Sequence, residues 1–417
     1  VLAAEAEDSD ITEVVVTGTR VRGAEPVGSA VIALDREALV DAGQVTIDRI
    51  IRDIPQNFDL GVSENSRAQS GGAGNIVYGN TVNLRGVGPY ATLIMVDGHR
   101  VTNNSRSTDP SILPTLAVGR IEVVADGASA IYGSDAVAGV VNVIPRRDLD
   151  GVEVFGRKGF ADQKHFTEAV YGGAFGKVWD GGQAMLAYEH VDRDNLSGDD
   201  RSFFVGDQRN SGGRDYRTTR CNPGTLVIGT TTYAIPAAGV TQANAGSLVA
   251  GSANRCNELT GQDLFPQQKY DSFGMTATQE VTPWLTFFAD GYYSNRKFYR
   301  KSNFGNARLT VPQTNAFFVR PTGFTGTSYF VDYNFAGDLP SNDSWGKAKN
   351  WQFTPGLRFT LPHDWQLEAL FGYGKTRDAS FSYRGTNNAA LTAALASSDP
   401  NVAFDPYGLH RTSAGTL

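Results

Sequence analysis

Asp97 and His99 flank Gly98 in the run Met95-Val96-Asp97-Gly98-His99-Arg100-Val101. A carboxylate near an imidazole is a pairing that general acid–base catalysis uses. Asp97-Gly98 is also a strong hairpin signal, because glycine accepts φ > 0 without a Cβ clash. No third group with a defined role accompanies the pair in sequence, so a hydrolytic enzyme is the weakest functional reading and no enzyme is expected. Residues 126–139 are glycine-rich, as phosphate cradles are. They lack both G-x-x-x-x-G-K-[ST] and G-x-G-x-x-G. Gly127-Ala128-Ser129-Ala130-Ile131 is not a G-x-S-x-G elbow, and Ser129 reads as a turn cap. The five histidines are dispersed, so neither a metal nor a cofactor is expected. Cys221 and Cys256 lie in a polar Gly/Thr/Asn-rich tract and read as a disulfide of an oxidising compartment. Closing a loop of that length contributes roughly 4 kcal/mol in the chain-entropy model.

The elements that carry these residues are mostly strands. Residues 81–84, 92–96, 121–124 and 140–144 are β-branched, apolar runs bounded by Gly, Asp and Pro. They alternate poorly, so both of their faces are expected to be buried. Asp35 reads as the cap of a helical turn reaching Leu39. Thr46 reads as the cap of a second helix, whose Ile47, Ile50, Ile51 and Ile54 form one apolar stripe ended by Pro55. Together these make an α+β module of about 130 residues, large enough for its own core. Residues 59–80, rich in Gly, Ser and Asn, read as a loop too long to be a mere connector.

Several of these runs, in this order and spacing, resemble the plug domain of TonB-dependent outer-membrane receptors. The resemblance rests on Asn83-Leu84-Arg85-Gly86, on the Asp97-Gly98 hairpin, and on Arg120-Ile121-Glu122-Val123 followed by Gly139-Val140-Val141-Asn142. It implies that Glu13, Val14, Val15, Val16 and Thr17 form the TonB box. That strand would add to a sheet edge of TonB, the inner-membrane energy-transducing partner. The alternative is a first strand docked in the plug's own sheet. The resemblance also casts Arg85, Arg120 and Glu122 as contacts between plug and barrel wall. Arg67, Arg100 and Arg106 slightly favour an anionic ligand. Siderophore, cobalamin, saccharide and peptide receptors share these motifs, so the ligand's identity stays open.

Beyond Arg147 the hydropathy changes to period two. Trp351, Phe353, Leu357, Phe359 and Leu361 alternate with Gln352, Thr354, Gly356, Arg358 and Thr360. Similar alternation runs through residues 272–278, 285–294 and 365–374. Strands are expected at 152–160, 166–175, 183–192, 269–281, 284–299, 350–361 and 365–383. Strands of about ten residues, aromatics at their ends, and short turns alternating with long connections are the marks of an outer-membrane barrel. No apolar run is long enough for a membrane helix, which does not exclude strands that cross. A net charge of −7 with scattered basic residues gives no reason to expect nucleic acid.

The expected fold is an N-terminal α+β plug followed by antiparallel transmembrane β-barrel strands. Its expected parts are a leader with TonB box and linker (residues 1–28), a plug (29–147) and about seven wall strands (148–417). By resemblance the family closes 22 strands. Seven cannot enclose a domain of this size, so the chain is expected to be a fragment of a longer receptor or half of a split one. The expected function is TonB-dependent uptake of a scarce small ligand across a Gram-negative outer membrane, with the wall facing lipid. A soluble β-rich binding or adhesion protein is the other reading.

Overall fold

The computed structural model describes residues 17, 31–41, 46–58, 64, 75–102, 108–161, 166–383 and 385–417. Two compact units emerge. One is drawn from Val1–Asp194, Gln268–Phe298 and Gly346–Ser380, the other from Asn195–Gln267, Tyr299–Trp345 and Phe381–Leu417.

The first unit begins with a five-stranded sheet: β1 (Val31–Leu34), β2 (Thr92–Val96), β3 (His99–Arg100), β4 (Val118–Val124) and β5 (Gly139–Pro145). Their order is β1-β4-β5-β2-β3, with β2 and β5 parallel and the other pairs antiparallel. Both faces are covered, which is why the apolar runs do not alternate. Ile94 and Val96 pack with Ile50, Ile51, Ile121 and Val141 on one side. Leu93 and Met95 pack with Ala128, Ala136 and Val140 on the other. Val96 pairs with His99 across Asp97 (φ 51°) and Gly98 (φ 76°), the two-residue turn that the sequence demands. At Gly139 (φ 146°) a Cβ would stand 2.2 Å from the Val124 carbonyl oxygen, so only glycine lets β5 leave its turn against β4.

Three short helices accompany the sheet: α1 (Arg36–Asp41), α2 (Ile47–Arg52) and α3 (Ser129–Tyr132). Asp35 caps α1 by accepting the Ala38 N–H at 2.8 Å. Thr46 occupies the cap position of α2, but its side chain makes no capping bond. Ser129 is the first residue of α3, and Ala128 holds the cap position instead.

After the plug the chain runs through long strands interrupted by excursions. In order come β6 (Gly151–Phe160), β7 (Thr167–Trp179), β8 (Gly182–Arg193), β9 (Leu196–Ser197), β10 (Thr225–Ile228), β11 (Thr231–Ala234) and β12 (Asp263–Phe265). Then follow β13 (Gln267–Thr282), β14 (Leu285–Arg300), β15 (Asn306–Pro312), β16 (Ser328–Asn334), β17 (Ser344–Thr360), β18 (Gln366–Leu370) and β19 (Tyr373–Ser382). The wall is an antiparallel sheet in the order β6-β7-β8-β13-β14-β17, with β18 and β19 both paired to β17. The strand expected at 365–383 is therefore split in two. Its break lies opposite Pro355, which has no N–H for the ladder; its carbonyl accepts from Phe371 N–H at 3.0 Å beside the Gly356–Leu370 pair.

The wall has two unlike faces. Apolar and aromatic side chains such as Tyr171, Phe175, Leu186, Phe287, Phe353 and Leu367 point outward and are exposed. Trp365 is 72% exposed at the end of a short turn, where an interfacial aromatic belongs. Alternate positions are polar, buried and turned to the plug, among them Glu189, Arg193, Asp290, Arg296 and Gln352.

The second unit departs from the expectation of plain loops. β11, β10, β16 and β15 form a sheet in that order, and β9 pairs with β12. Leu226, Val331, Tyr333, Phe335, Phe404 and Tyr407 share its core. Residues 385–417, beyond the last expected strand, contain helix α4 (Asn388–Ala396), capped by Asn387, which accepts from Ala389 N–H and Ala390 N–H at 3.1 and 3.2 Å. Asn315 donates to the Leu395 and Phe404 carbonyls at 2.9 and 3.0 Å and ties that segment in. Cys221 and Cys256 are bonded, with their Cα atoms 5.7 Å apart.

Candidate functional site

The boundary between plug and wall is where this chain concentrates polar chemistry. Each wall strand from β6 to β8, and β13, β14 and β17 to β19, sends at least one polar side chain to the plug. Glu153 on β6 receives Arg36 at 3.1 Å and Arg146 at 2.5 Å. Glu168 on β7 takes a two-pronged grip from Arg49, at 2.7 and 2.6 Å. On β8, Glu189 accepts the Thr115 N–H at 3.0 Å and Arg193 donates to Glu64 at 2.5 Å. Gln268 on β13 donates to the Tyr78 carbonyl at 2.6 Å. Arg296 on β14 pairs with Asp109. Gln352 on β17 accepts the Thr102 N–H at 2.7 Å and donates to the Arg100 carbonyl at 3.1 Å. Thr376 on β19 donates to the Thr102 carbonyl at 3.1 Å.

Around α2 these contacts merge. Asp48, buried, accepts from Asn80 at 2.5 Å and lies 3.9 Å from Arg52. Burial first, then the nearby carboxylates of Asp109 and Glu64, push the Asp48 carboxyl up to about 6. Glu64 goes the other way. Burial raises it, but the guanidinium groups of Arg193 and Arg49 outweigh burial and hold it below the usual carboxylate range. A space of about 20 Å³ remains between these side chains, lined by Asp48, Glu64, Arg193 and Tyr270 among others.

A second cluster surrounds the Asp97-Gly98 turn. Arg147 donates to Asp97 at 3.1 and 2.7 Å and reaches Asp290 of β14 at 3.5 Å. His99 Nε2 lies 3.2 Å from Glu368 of β18 and its ring stacks on Phe288, with centroids 5.9 Å apart. Burial lowers the basicity of His99, but the Glu368 hydrogen bond and the Asp97 charge prevail, so its pKa is raised. Asp97 is pushed up by burial and pulled further down by Arg147. Asp97, His99 and Asp290 bring donor atoms within 4.8 Å of one another, the spacing of a cation site. The Arg147 guanidinium already serves both aspartates as counter-charge. The pair considered for acid–base chemistry is thus engaged in holding the plug turn to the wall.

The residues singled out in the sequence fall elsewhere. Arg85 pairs with Asp126 at 3.4 Å, both about half exposed, and Arg120 donates to Glu122 at 2.8 Å. All four belong to the plug. Arg85, Arg120 and Glu122, expected between plug and wall, make these contacts within the plug, while Arg36, Arg49, Glu64, Asp109 and Arg147 meet wall strands. A signal for some of these existed. Asp48, Arg49 and Arg52 occupy the polar side of the isoleucine helix, and Glu189, Arg193, Asp290 and Arg296 break the apolar strands at inward parity. Arg100 is committed to Asp135 and the Tyr132 carbonyl, each at 2.5 Å. Arg67 and Arg106 lie outside the described residues, as do Glu13, Val14, Val15 and Val16. Thr17 is described: it is 2% exposed, and its N–H donates to Glu122 at 2.9 Å.

Comparison with known proteins agrees with this architecture. Residues 24–140 match the family TonB-dependent Receptor Plug Domain. Among solved structures, a mutant of the ferric enterobactin receptor PfeA from Pseudomonas aeruginosa in complex with enterobactin is similar at 17% identity and a TM-score of 0.52. The same receptor in complex with BCV-L6 is similar at 17% identity and a TM-score of 0.50. Each match covers 84% of this chain and 41% of the solved chain, so the chain spans less than half the length of these structures. At this identity the likeness is one of fold: a plug followed by the antiparallel strands of a partial barrel.

Proposed function

We propose that the chain is the plug and part of the wall of a TonB-dependent receptor of a Gram-negative outer membrane, and that it serves active uptake of a scarce small ligand. The observation that carries this reading is the plug–wall boundary. A folded domain stands against the polar face of a membrane wall, held by ion pairs and hydrogen bonds from successive strands. The wall's outer face is apolar and aromatic, as lipid requires. Such a plug is a stopper with its own core, able to shift as a body or in part when its boundary contacts are exchanged for water.

The rest of the cycle follows from a ligand-driven switch. A ligand favours one plug arrangement over another only through differential contacts. TonB then pairs with the strand at Glu13, Val14, Val15, Val16 and Thr17 through main-chain hydrogen bonds, and work done on that strand rearranges the plug. Ferric siderophores are the first ligand class to test, since the structural neighbours are ferric enterobactin receptors. In the intact receptor, Val15→Pro removes one strand N–H and is expected to abolish both capture of the TonB periplasmic domain and uptake of radiolabelled iron–siderophore, while leaving surface binding of the ligand. Uptake unchanged by the proline would overturn the TonB reading.

A further inference from the structure

Two buried atoms beside the Asp97-Gly98 turn have no hydrogen-bond partner among the described residues: His99 Nδ1 and Asp290 Oδ2. Asp290 is 6% exposed. A buried polar atom left without a partner is costly and calls for a physical account. Both atoms belong to the trio Asp97, His99 and Asp290, whose donor atoms lie within 4.8 Å of one another. Glu368 decides which nitrogen of His99 is free. A carboxylate only accepts, so the 3.2 Å contact puts the proton of neutral His99 on Nε2 and leaves Nδ1 a lone pair. Glu368 is itself gripped by Arg358 at 3.2 and 2.9 Å, and Phe288 stacks on the imidazole. An imidazole that donates one nitrogen to a carboxylate and offers the other is how proteins orient a metal-binding histidine. The two aspartates have matching support. Arg147 holds Asp97 and reaches Asp290 Oδ1, which leaves Oδ2 free. A carboxylate oxygen has two lone-pair sites, so Asp97 can accept from Arg147 and bind an ion at once. Charge agrees: Asp97, Asp290 and Glu368 outnumber Arg147 and Arg358 by one.

We propose that Asp97, His99 and Asp290 bind one divalent transition-metal ion, which clasps the plug turn to β14, with Glu368 and Arg147 as positioning residues. One imidazole nitrogen and two carboxylate oxygens suit Zn2+ and its neighbours, whereas Mg2+ and Ca2+ take oxygen alone. Around an ion at about 2.1 Å, tetrahedral donors stand roughly 3.4 Å apart. Rotation of the Asp97 and Asp290 side chains closes the remaining distance. The Glu368 side chain is 33% exposed and gives the ion a way in from solvent. The site is independent of the uptake reading, because it needs only the turn and the strand that faces it.

The test uses the intact receptor in detergent micelles, stripped with a chelator. Co2+ is the probe, because its visible absorption reports the coordinating atoms. Affinity is read by absorption and calorimetry. Amide exchange is read with and without the ion at Gly98, whose N–H donates to Asn142 Oδ1 at 2.9 Å. The wild type is expected to bind Co2+ with a spectrum that Zn2+ abolishes and Mg2+ does not. Asp290→Asn and His99→Gln should each lose at least a hundredfold in affinity for that ion. Glu368→Gln, which touches no ion, should lose about tenfold and keep the spectrum. Gly98 exchange should slow at least tenfold with the ion in the wild type and not respond to it in Asp290→Asn. Equal Co2+ binding in the wild type, Asp290→Asn and His99→Gln would overturn the site. Displacement by Mg2+ would overturn the choice of a transition metal. Binding that leaves Gly98 exchange unchanged would overturn the clasp. If Asp290→Asn loses protection in β4 and β5, it has disturbed the fold, and His99→Gln then decides.

Discussion

The plug's interior and its boundary are built from opposite materials. Inside, Ile51, Val82, Leu84, Ile121, Val123 and Val141 form an apolar core with almost no exposure. At the wall, Arg49–Glu168, Arg193–Glu64 and Arg147–Asp97 are ionic, and Asp48 titrates near 6. An apolar core is held together by the area removed from water and has no equivalent substitute in water. Ion pairs and hydrogen bonds exchange with water at small net change, since water satisfies the same groups. A domain with this division keeps its fold while its seat is remade. On the proposed function, the difference is what a gated stopper needs and what a permanently fused domain does not.

The contrast can be broken from either side. Arg193→Met leaves Glu64 buried without its partner and is expected to destabilise the seated plug by roughly 3–5 kcal/mol. Adding Glu64→Leu should restore most of that loss, as read by denaturant unfolding of the reconstituted receptor. Ile51→Ala has no such rescue. It opens a cavity in the core and is expected to cost roughly 2–4 kcal/mol, read as lost exchange protection across β4 and β5.

Two smaller effects depend on pH. Asp48 has a raised carboxyl, so the seated form favours its protonated state. A stability penalty of about 2–3 kcal/mol develops as pH rises from 3.8 toward 6 and is full above it. Asp48→Asn should remove that penalty, raising the melting temperature at pH 7.5 and changing little at pH 4. His99 also has a raised pKa. Its contribution is fully present below the unfolded value near 6.5 and is lost as pH rises through the higher folded value. His99→Gln should abolish that dependence, measured as the pH profile of exchange at the Asp97-Gly98 turn.

The plug sheet was legible because its glycines and apolar runs act locally. Asp97-Gly98 forces its hairpin, and the Ile47, Ile50, Ile51, Ile54 stripe forces one helix face. The wall strands were legible because an exposed apolar face on one side and a polar face against the plug on the other impose period two over ten residues or more. The second unit was not. Its strands are short, and a run such as Thr225-Leu226-Val227 gains its meaning only from pairing with residues 330–332, about a hundred positions away. The intra-plug partners of Arg85 and Glu122 were not legible for a related reason: a motif shows that a charge is present but not which of two facing surfaces it serves. Glu122 is a sheet residue whose other side carries the core, and only the tertiary structure shows that Thr17 returns to meet it.

Native-state hydrogen exchange of the intact receptor across a urea series tests the division between core and seat most directly. Amides at the seat, in residues 97–100, are expected to open at lower free energy and with weaker urea dependence than those of β4 and β5, as a partial opening exposes less surface. The two sets should merge only near global unfolding. If seat and core amides open together at every urea concentration, the plug is one cooperative body with the wall, and the account of a detachable seat around a durable core is wrong.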